Sequence, residues 1–269
     1  CSFGRASHPG FCHPYSPSVL QIHRSRTMKV IIGSTMRINS SECLIQARGL
    51  EKRYRRGKVQ VEALRGVDLD VPSGAFVVIV GPSGGGKTTL LHLLGGIDRP
   101  TSGQIRVNGQ TLETASESEL TRFRRDNIGF VFQFYNLLPS LNALDNVILP
   151  LLARGWDWKK ASQYGQAFLE RVGLQARWRH MPGELSGGEQ QRVAIARALV
   201  GEPAVILADE PTGDLDSVTS QEIIQLMVHL NRQLGSTFII ATHNQTLCQY
   251  ATSTYEMRDG LLHPGLEAS

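Results

Sequence analysis

The chain is predicted to fold as an α/β protein around a mainly parallel sheet, and three observations carry that prediction. The apolar run Ala75–Val80, the glycine-rich loop Gly81–Gly86 and the apolar helical start Leu90–Leu94 follow one another as strand, loop and helix. A second apolar run, Ala204–Ala208, ends on the adjacent carboxylates Asp209 and Glu210. Beyond residue 128, short buried-strand patterns alternate with helical ones, the signature of strands joined by helical crossovers.

Taken in order, residues 1–35 hold no Asp or Glu, are rich in Ser, Pro and His, and lie outside the expected fold. Such a leader resembles an organelle transit peptide. The competing reading is upstream sequence ahead of a start at Met28 or Met36, favoured because no amphipathic Arg-bearing helix is visible. Residues 36–269 are expected to form the domain. Cys43–Ala47 and Val67–Val71 have strand patterns, separated by a charged turn over Lys52–Lys58. With Gln104–Val107 before the turn Asn108-Gly109, they predict a partly antiparallel β subdomain. Glu117–Arg125 reads as a short helix and Ile128–Phe132 as a buried strand. Phe134–Pro139 is a break, followed by helices over Ala143–Leu152 and Lys159–Val172 and another from near Ser186. The interval of about 134–195 is therefore expected to be an α-helical subdomain. The strand Ala204–Ala208, a helix over Ser220–Leu234 and the strand Thr237–Ala241 complete the sheet.

Composition bounds the rest. With 41% hydrophobic residues, the 269-residue chain can bury a sizeable core. The formal charge of +4 is accounted for by Arg5, Arg24, Arg26 and Lys29, leaving the remainder formally neutral. No basic stripe therefore argues for a nucleic-acid partner. The four cysteines have no C-x-x-C spacing, which fits a reducing compartment. No apolar run approaches the ~18–20 residues that span a bilayer, so membrane association is expected through a partner only.

The chemistry starts at Gly81-Pro-Ser-Gly-Gly-Gly-Lys-Thr-Thr89. Glycines let consecutive backbone N–H groups turn inward as a nest for phosphate oxygens. The helix beginning near Lys87 adds the positive end of its dipole. Lys87 suits the β- and γ-phosphates, and the Thr88 hydroxyl suits Mg²⁺. A plain glycine-rich turn with a solvated lysine would not need the flanking strand and helix. The chain is thus expected to bind a nucleoside triphosphate. Asp209 and Glu210 stand at a strand's C-terminal end, where open α/β sheets bind ligands, and face opposite ways. One suits Mg²⁺, the other the attacking water. In Leu185-Ser-Gly-Gly-Glu-Gln-Gln-Arg192, Ser186 and Glu189 make a capping box. Capping alone leaves Gly187 and Gly188 unexplained, so this helix end is expected to be a second anion site.

Together, Gly81–Thr88, Gln133, Leu185–Arg192, Asp209-Glu210, Asp214-Leu-Asp216 and His243 resemble an ATP-binding cassette (ABC) ATPase over residues 42–263. The resemblance implies a P-loop ATPase fold with a parallel-sheet core, an N-terminal antiparallel subdomain and a helical subdomain. It also implies a head-to-tail homodimer burying ATP between the phosphate loop of one copy and Ser186-Gly187-Gly188-Glu189 of the other. Tyr54 would stack on adenine, Gln133 would contact Mg²⁺ and sense the partner, and Glu210 would orient or deprotonate the water. His243 would hold the γ-phosphate, and Asp216 would belong to a loop linking the two sites. Three positions depart from the family pattern: Gly85 for Ser, Glu189 for Gln, and Asn244 for Asp after His243.

Leu91–Gly103, Gln133–Pro139, Leu207–Gly213 and Glu256–Gly260 resemble the subfamily serving lipoprotein release and macrolide export. That implies an ATPase subunit at the cytoplasmic face of the inner membrane, peripheral, serving separate integral membrane permease subunits. The alternative is a non-transport ATPase regulating a membrane partner, as in cell division. Chromosome and repair ATPases are excluded because the interval Gln133–Ser186 carries no heptad arm. The apolar segment Phe134, Tyr135, Leu137 and Leu138 is expected to line the groove that receives a partner helix.

Overall fold

The computed structural model describes residues 43–57 and 59–265; the expectations for residues 1–35 lie outside them. The chain begins with two long antiparallel strands, β1 (Cys43–Arg56) and β2 (Val59–Pro72). The charged stretch read from sequence as a turn is instead strand up to Arg56, and the turn is entered at Gly57, with φ of 61°. Cross-strand pairing supplies the reason. Arg53, paired with Glu62 across the ladder, bonds it at 3.3 Å, and Lys52 reaches Asp98 in a later loop at 2.6 Å, so charges that look like a loop have partners along a strand.

Next come β3 (Phe76–Val80), α1 (Lys87–Leu94), β4 (Ser102–Val107) and β5 (Gln110–Thr111). After them follow α2 (Glu117–Asn127), β6 (Ile128–Phe132), α3 (Ala143–Ala153) and α4 (Trp158–Arg171). The chain continues with α5 (Gly187–Leu199), β7 (Val205–Asp209), α6 (Ser217–Leu234) and β8 (Thr237–Thr242). It closes with the hairpin β9 (Ser253–Arg258) and β10 (Leu261–Pro264). That hairpin is absent from the sequence reading. Glu256, Arg258 and Asp259 dilute its pattern, yet Met257 is fully buried.

Four strands form an antiparallel sheet in the order β2-β1-β4-β5. Six form the main sheet, β10-β9-β3-β8-β7-β6, parallel except for the β10 edge. Strand periodicity divides the core by this sheet's two faces. Phe76, Val78, Ile206, Ala208, Phe238 and Ile240 enter the cluster shared with α3–α6. Val77, Ile79, Val205, Leu207, Ile239 and Ala241 enter the cluster shared with α1, α2 and the antiparallel sheet. Strands apolar on both faces are what parallel crossovers require. The same geometry brings the C-terminal ends of β3, β6, β7 and β8 to one rim.

Candidate functional site

Four strand ends deliver the site: the phosphate loop after β3, Gln133 after β6, Asp209 and Glu210 at the end of β7, and His243 after β8. The loop itself is fitted to backbone rather than to side chains. A Cβ on Gly85 would come within 2.9 Å of the Met257 carbonyl oxygen, and one on Gly86 within 2.6 Å of that of Ala63. Gly86, at φ 109°, begins α1 with no side-chain cap and no acidic residue in the first turn. By contrast α2, α3, α4, α5 and α6 are capped by Ser116, Asn142, Asp157, Ser186 and Asp216. The first N–H groups of α1 thus remain available to an anion. Pro82, Ser83 and Gly84 stand exposed at the loop's outer side.

Lys87 is buried, and its ammonium donates to the carbonyls of Gly81 at 2.8 Å and Pro82 at 3.1 Å. It also lies 3.8 Å from Glu210. The cation is held over the nest by groups that a phosphate can replace. Thr88 donates its hydroxyl to Asp209 at 2.8 Å. That pair offers two hard oxygens, the donor type Mg²⁺ takes. No cluster of three or more acidic, His or Cys side chains able to hold a metal occurs among the described residues. An Mg²⁺ here would complete its shell with phosphate oxygens and water, its usual arrangement.

Burial raises the Asp209 carboxyl above its ordinary range; the Thr88 hydroxyl opposes this and the Glu210 charge adds to it. A raised folded-state pKa favours the fold only while the group is protonated, below its unfolded value, and that contribution is lost as pH rises through the folded value. Once ionised, Asp209 therefore works against stability until a cation joins it. Asp209→Asn is expected to raise the metal-free melting midpoint by on the order of 1–2 °C. It should also abolish the further rise that Mg-ATP gives the parent chain. Differential scanning calorimetry with and without Mg-ATP checks both, and a midpoint that falls in the metal-free variant contradicts this account.

Glu210 adopts a left-handed backbone, φ 46°, unusual for a side-chain-bearing residue. Its N–H donates to Ala241 at 2.8 Å, and its carbonyl accepts from Gly213 at 3.0 Å. Its carboxylate accepts from Thr242 at 3.0 Å and from the His243 N–H at 3.2 Å, and it meets the His243 ring at 2.9 Å. Strain of this kind persists where surrounding contacts enforce it. Asp209 and Glu210 accordingly do face different partners, Thr88 and Lys87–His243. The Gln133 amide packs on the loop beyond Glu210, 3.1 Å from where a Cβ on Gly213 would stand. Tyr54 is partly exposed and donates to Asp98 at 2.9 Å. Burial first, and the hydrogen bond to Asp98 second, raise its phenol.

Two residues went unread in sequence. Met257 contributes a backbone floor to the phosphate loop, reinforced where the Gly260 N–H donates to the Gly85 carbonyl at 3.0 Å. Thr242 orients Glu210. Neither carries a residue-type signal, since one acts through its backbone and the other is one strand threonine among several.

Ser186–Glu189 lies apart from the phosphate loop. Ser186 accepts from the Glu189 N–H at 3.3 Å, and the Glu189 carboxylate accepts from the Ser186 N–H at 2.9 Å. That backbone bond chiefly lowers the Glu189 carboxyl, with Arg177 at 3.1 Å as a further partner. The capping box expected from sequence is present. Gly188 has an added packing reason, because a Cβ there would come within 2.5 Å of the Thr219 side chain. Gly187 adjoins Tyr135 and Leu215, so this segment shares none of the neighbours of Gly81–Gly86. Asp216 caps α6, accepting from Val218 and Thr219 at 3.0 Å, which starts that helix three residues earlier than the periodicity predicts.

Comparison with known proteins agrees with this geometry. Residues 64–213 match the family model described as ABC transporter. The lipoprotein-releasing system ATP-binding protein LolD of Alcanivorax borkumensis is 47% identical, covering 84% of this chain and 99% of that one. An ABC transporter ATP-binding protein of Thermotoga maritima is 48% identical, covering 80% and 92%. Among solved structures, the dimeric ATP-binding cassette MJ0796 in a post-hydrolysis state bound to ADP and Pi superposes with a TM-score of 0.78 at 38% identity, covering 84% and 99%. The chain thus belongs to the ABC transporter family as an ATP-binding subunit.

Proposed function

We propose that the chain powers a complex that extracts lipid-modified proteins from a membrane, working as a homodimer at the cytoplasmic face of the inner membrane beneath separate permease subunits. The observation that carries this reading is the near full-length similarity to proteins named for lipoprotein release. No helix among the described residues is long and apolar enough to cross a membrane, and separate chains would contribute the permease. ATP would be held by Gly81–Thr89, with Tyr54 beside the adenine and Ser186–Glu189 of the second copy closing over the phosphates. Mg²⁺, held by Thr88, Asp209 and the adjacent Gln133, would neutralise charge developing on the phosphates. Glu210 orients and polarises the water, with His243 directed at the γ-phosphate. Asp216 would meet its counterpart region across the dimer. The loop and the Ser186 segment have separate neighbours within one chain, which supports two copies completing each site.

The test is reconstitution with the copurified permease in vesicles carrying a lipid-modified protein. ATP should release that protein into solution, and Lys87→Ala should not support release. A permease that stimulates ATP hydrolysis without any release would contradict the cargo assignment and favour a regulatory role.

The partner groove expected over Phe134–Pro139 is half supported. Phe134 (70% exposed) and Leu138 (46%) face outward, whereas Tyr135 and Leu137 turn inward. A cleft of about 290 Å³ between β6 and α3 adjoins this segment, lined by Phe130, Phe132, Asn136, Pro150 and Arg154. Leu138→Asp should abolish copurification of the permease and leave the melting midpoint unchanged, because Leu138 contributes little to the core. Retained copurification would place the groove elsewhere.

A further inference from the structure

The base and the phosphates of one nucleotide would be held by different parts of the fold, Tyr54 on β1 and Lys87 with Thr88 at the start of α1. One carboxylate joins the two. Asp98 follows closely on α1: its N–H donates to the His92 carbonyl at 3.3 Å, and that of Ile97 donates to the same oxygen at 2.9 Å. Its Oδ2 accepts the Tyr54 hydroxyl at 2.9 Å. Its Oδ1 accepts from Lys52 at 2.6 Å and from the Arg99 N–H at 2.7 Å. Lys52 also donates to the Arg99 carbonyl at 2.7 Å, with most of its side chain buried. Thr101 fastens the same loop to β1. Its N–H donates to the Glu51 carbonyl at 2.8 Å, and its hydroxyl accepts from the Arg53 N–H at 3.0 Å.

The same trio decides how the Tyr54 ring can be used. The Lys52 ammonium stands over one face, 4.9 Å from the ring centroid. A base can therefore stack only on the opposite face. Val61, paired with Tyr54 across the ladder and exposed like it, widens the apolar surface on that side of the sheet. Burial by itself would raise the Asp98 carboxyl; the hydrogen bonds from Lys52, the Arg99 N–H and Tyr54 together hold it below its ordinary range. The Tyr54 hydroxyl proton is committed to this carboxylate, so the ring is offered to a base by its face and not by its polar edge.

We propose that Asp98 is a positioning residue for the base: braced by Lys52 and carried at the end of α1, it holds the Tyr54 hydroxyl and presets the ring as a stacking platform in register with the phosphate loop. Such a platform accepts purines as a class and does not read adenine by its edge. The proposal rests on the reading that Tyr54 lies beside the base. It assigns part of the nucleotide affinity to a hydrogen bond that touches no ligand atom, because a preset side chain loses little freedom on binding.

The test uses the full chain, with steady-state ATP hydrolysis and with displacement of a fluorescent ATP analogue by Mg-ATP, Mg-GTP or Mg-tripolyphosphate, which has no base. Tyr54→Phe keeps the ring and removes its tether. It should weaken ATP and GTP alike by about fivefold, the order of one side chain's ordering cost. The loss should appear in KM and not in kcat, and tripolyphosphate should displace the analogue as it does from the parent. Asp98→Ala should weaken both nucleotides likewise, although it also leaves Lys52 without its counter-ion and lowers the melting midpoint. The double variant should bind no more weakly than Asp98→Ala alone. Unchanged ATP affinity of Tyr54→Phe, an equal loss of tripolyphosphate, a loss of ATP without GTP, or additive shifts in the double variant would each overturn the proposal. Tyr54→Ala separates it from the reading beneath. Stacking of a base on an aromatic ring is worth about tenfold or more, and an alanine variant that binds ATP like the parent would remove the base from Tyr54 and this proposal with it.

Discussion

A Glu210→Gln chain is expected to bind Mg-ATP, to lose at least about a hundredfold in turnover, the usual cost of removing a positioned general base, and to accumulate as a dimer. Glutamine keeps the size and much of the hydrogen bonding of the carboxylate. Thr242 and the His243 N–H, now donating to Glu210, can donate to an amide oxygen, so the strained backbone at this position should survive. The variant withdraws the negative charge beside Lys87 and His243, and with it the means of polarising water. It should therefore stop the cycle after ATP has closed the site and before phosphate leaves. Adding Ser186→Arg places a bulky cation at an exposed helix end and should return the protein to monomer with ATP still bound. Lys87→Ala should give a monomer for a different reason, the loss of nucleotide binding itself. Light scattering separates dimer from monomer, and nucleotide retention on a desalting column separates the two monomers. A Glu210→Gln chain that turns over ATP at the parent rate would remove Glu210 from the chemistry.

How much of this was legible from sequence follows from which groups carry the information. Lys87, Thr88, Asp209 and Glu210 were readable because their residue types suit the proposed chemistry and the strands before them are apolar on both faces. Ser186 and Glu189 were readable as a cap because a capping box is a local pattern. What escaped lies in backbone and in long-range pairing. Lys52–Arg56 read as a turn because charge outweighed pattern there, and only partners at Glu62 and Asp98 make those residues strand. The β9–β10 hairpin escaped because one buried Met257 among charged neighbours leaves no periodic trace. The left-handed backbone at Tyr135, Asn136 and Glu210 cannot be read from residue type, since none is glycine. Tyr135 was accordingly assigned to an outer groove, although an Arg197 hydrogen bond to its carbonyl holds it inward.

The phosphate loop's glycines illustrate the same division, and Gly81→Ala is the substitution that exposes it. Sequence reasoning asks for glycine there so that backbone N–H groups can turn toward phosphate. The structure adds a stronger demand: a Cβ on Gly81, at φ 154°, would come within 2.1 Å of the Met257 carbonyl oxygen, far closer than carbon and oxygen can approach without a bond. Neither side yields easily. Val80 is paired in register with Glu256 across β3 and β9, and Met257 is wholly buried in the core beneath. Alanine should therefore separate β9 from β3 at the mouth of the site. Overpacking of this kind costs about 1–3 kcal/mol, or roughly 2–12 °C in melting midpoint for a domain of this size. ATP binding should be lost along with it, because the first carbonyl holding Lys87 moves. Gly49→Ala is the control: its φ of 55° imposes the same kind of backbone cost, but nothing lies within 4 Å of the added carbon. The Gly49 variant should bind ATP normally and melt below the parent by that backbone cost alone, less than the Gly81 variant does. Equal melting and ATP affinity in the two variants would show that β9 is no floor to the loop. A large gap in both readouts would make this late hairpin, which contributes no reactive side chain, a determinant of nucleotide binding.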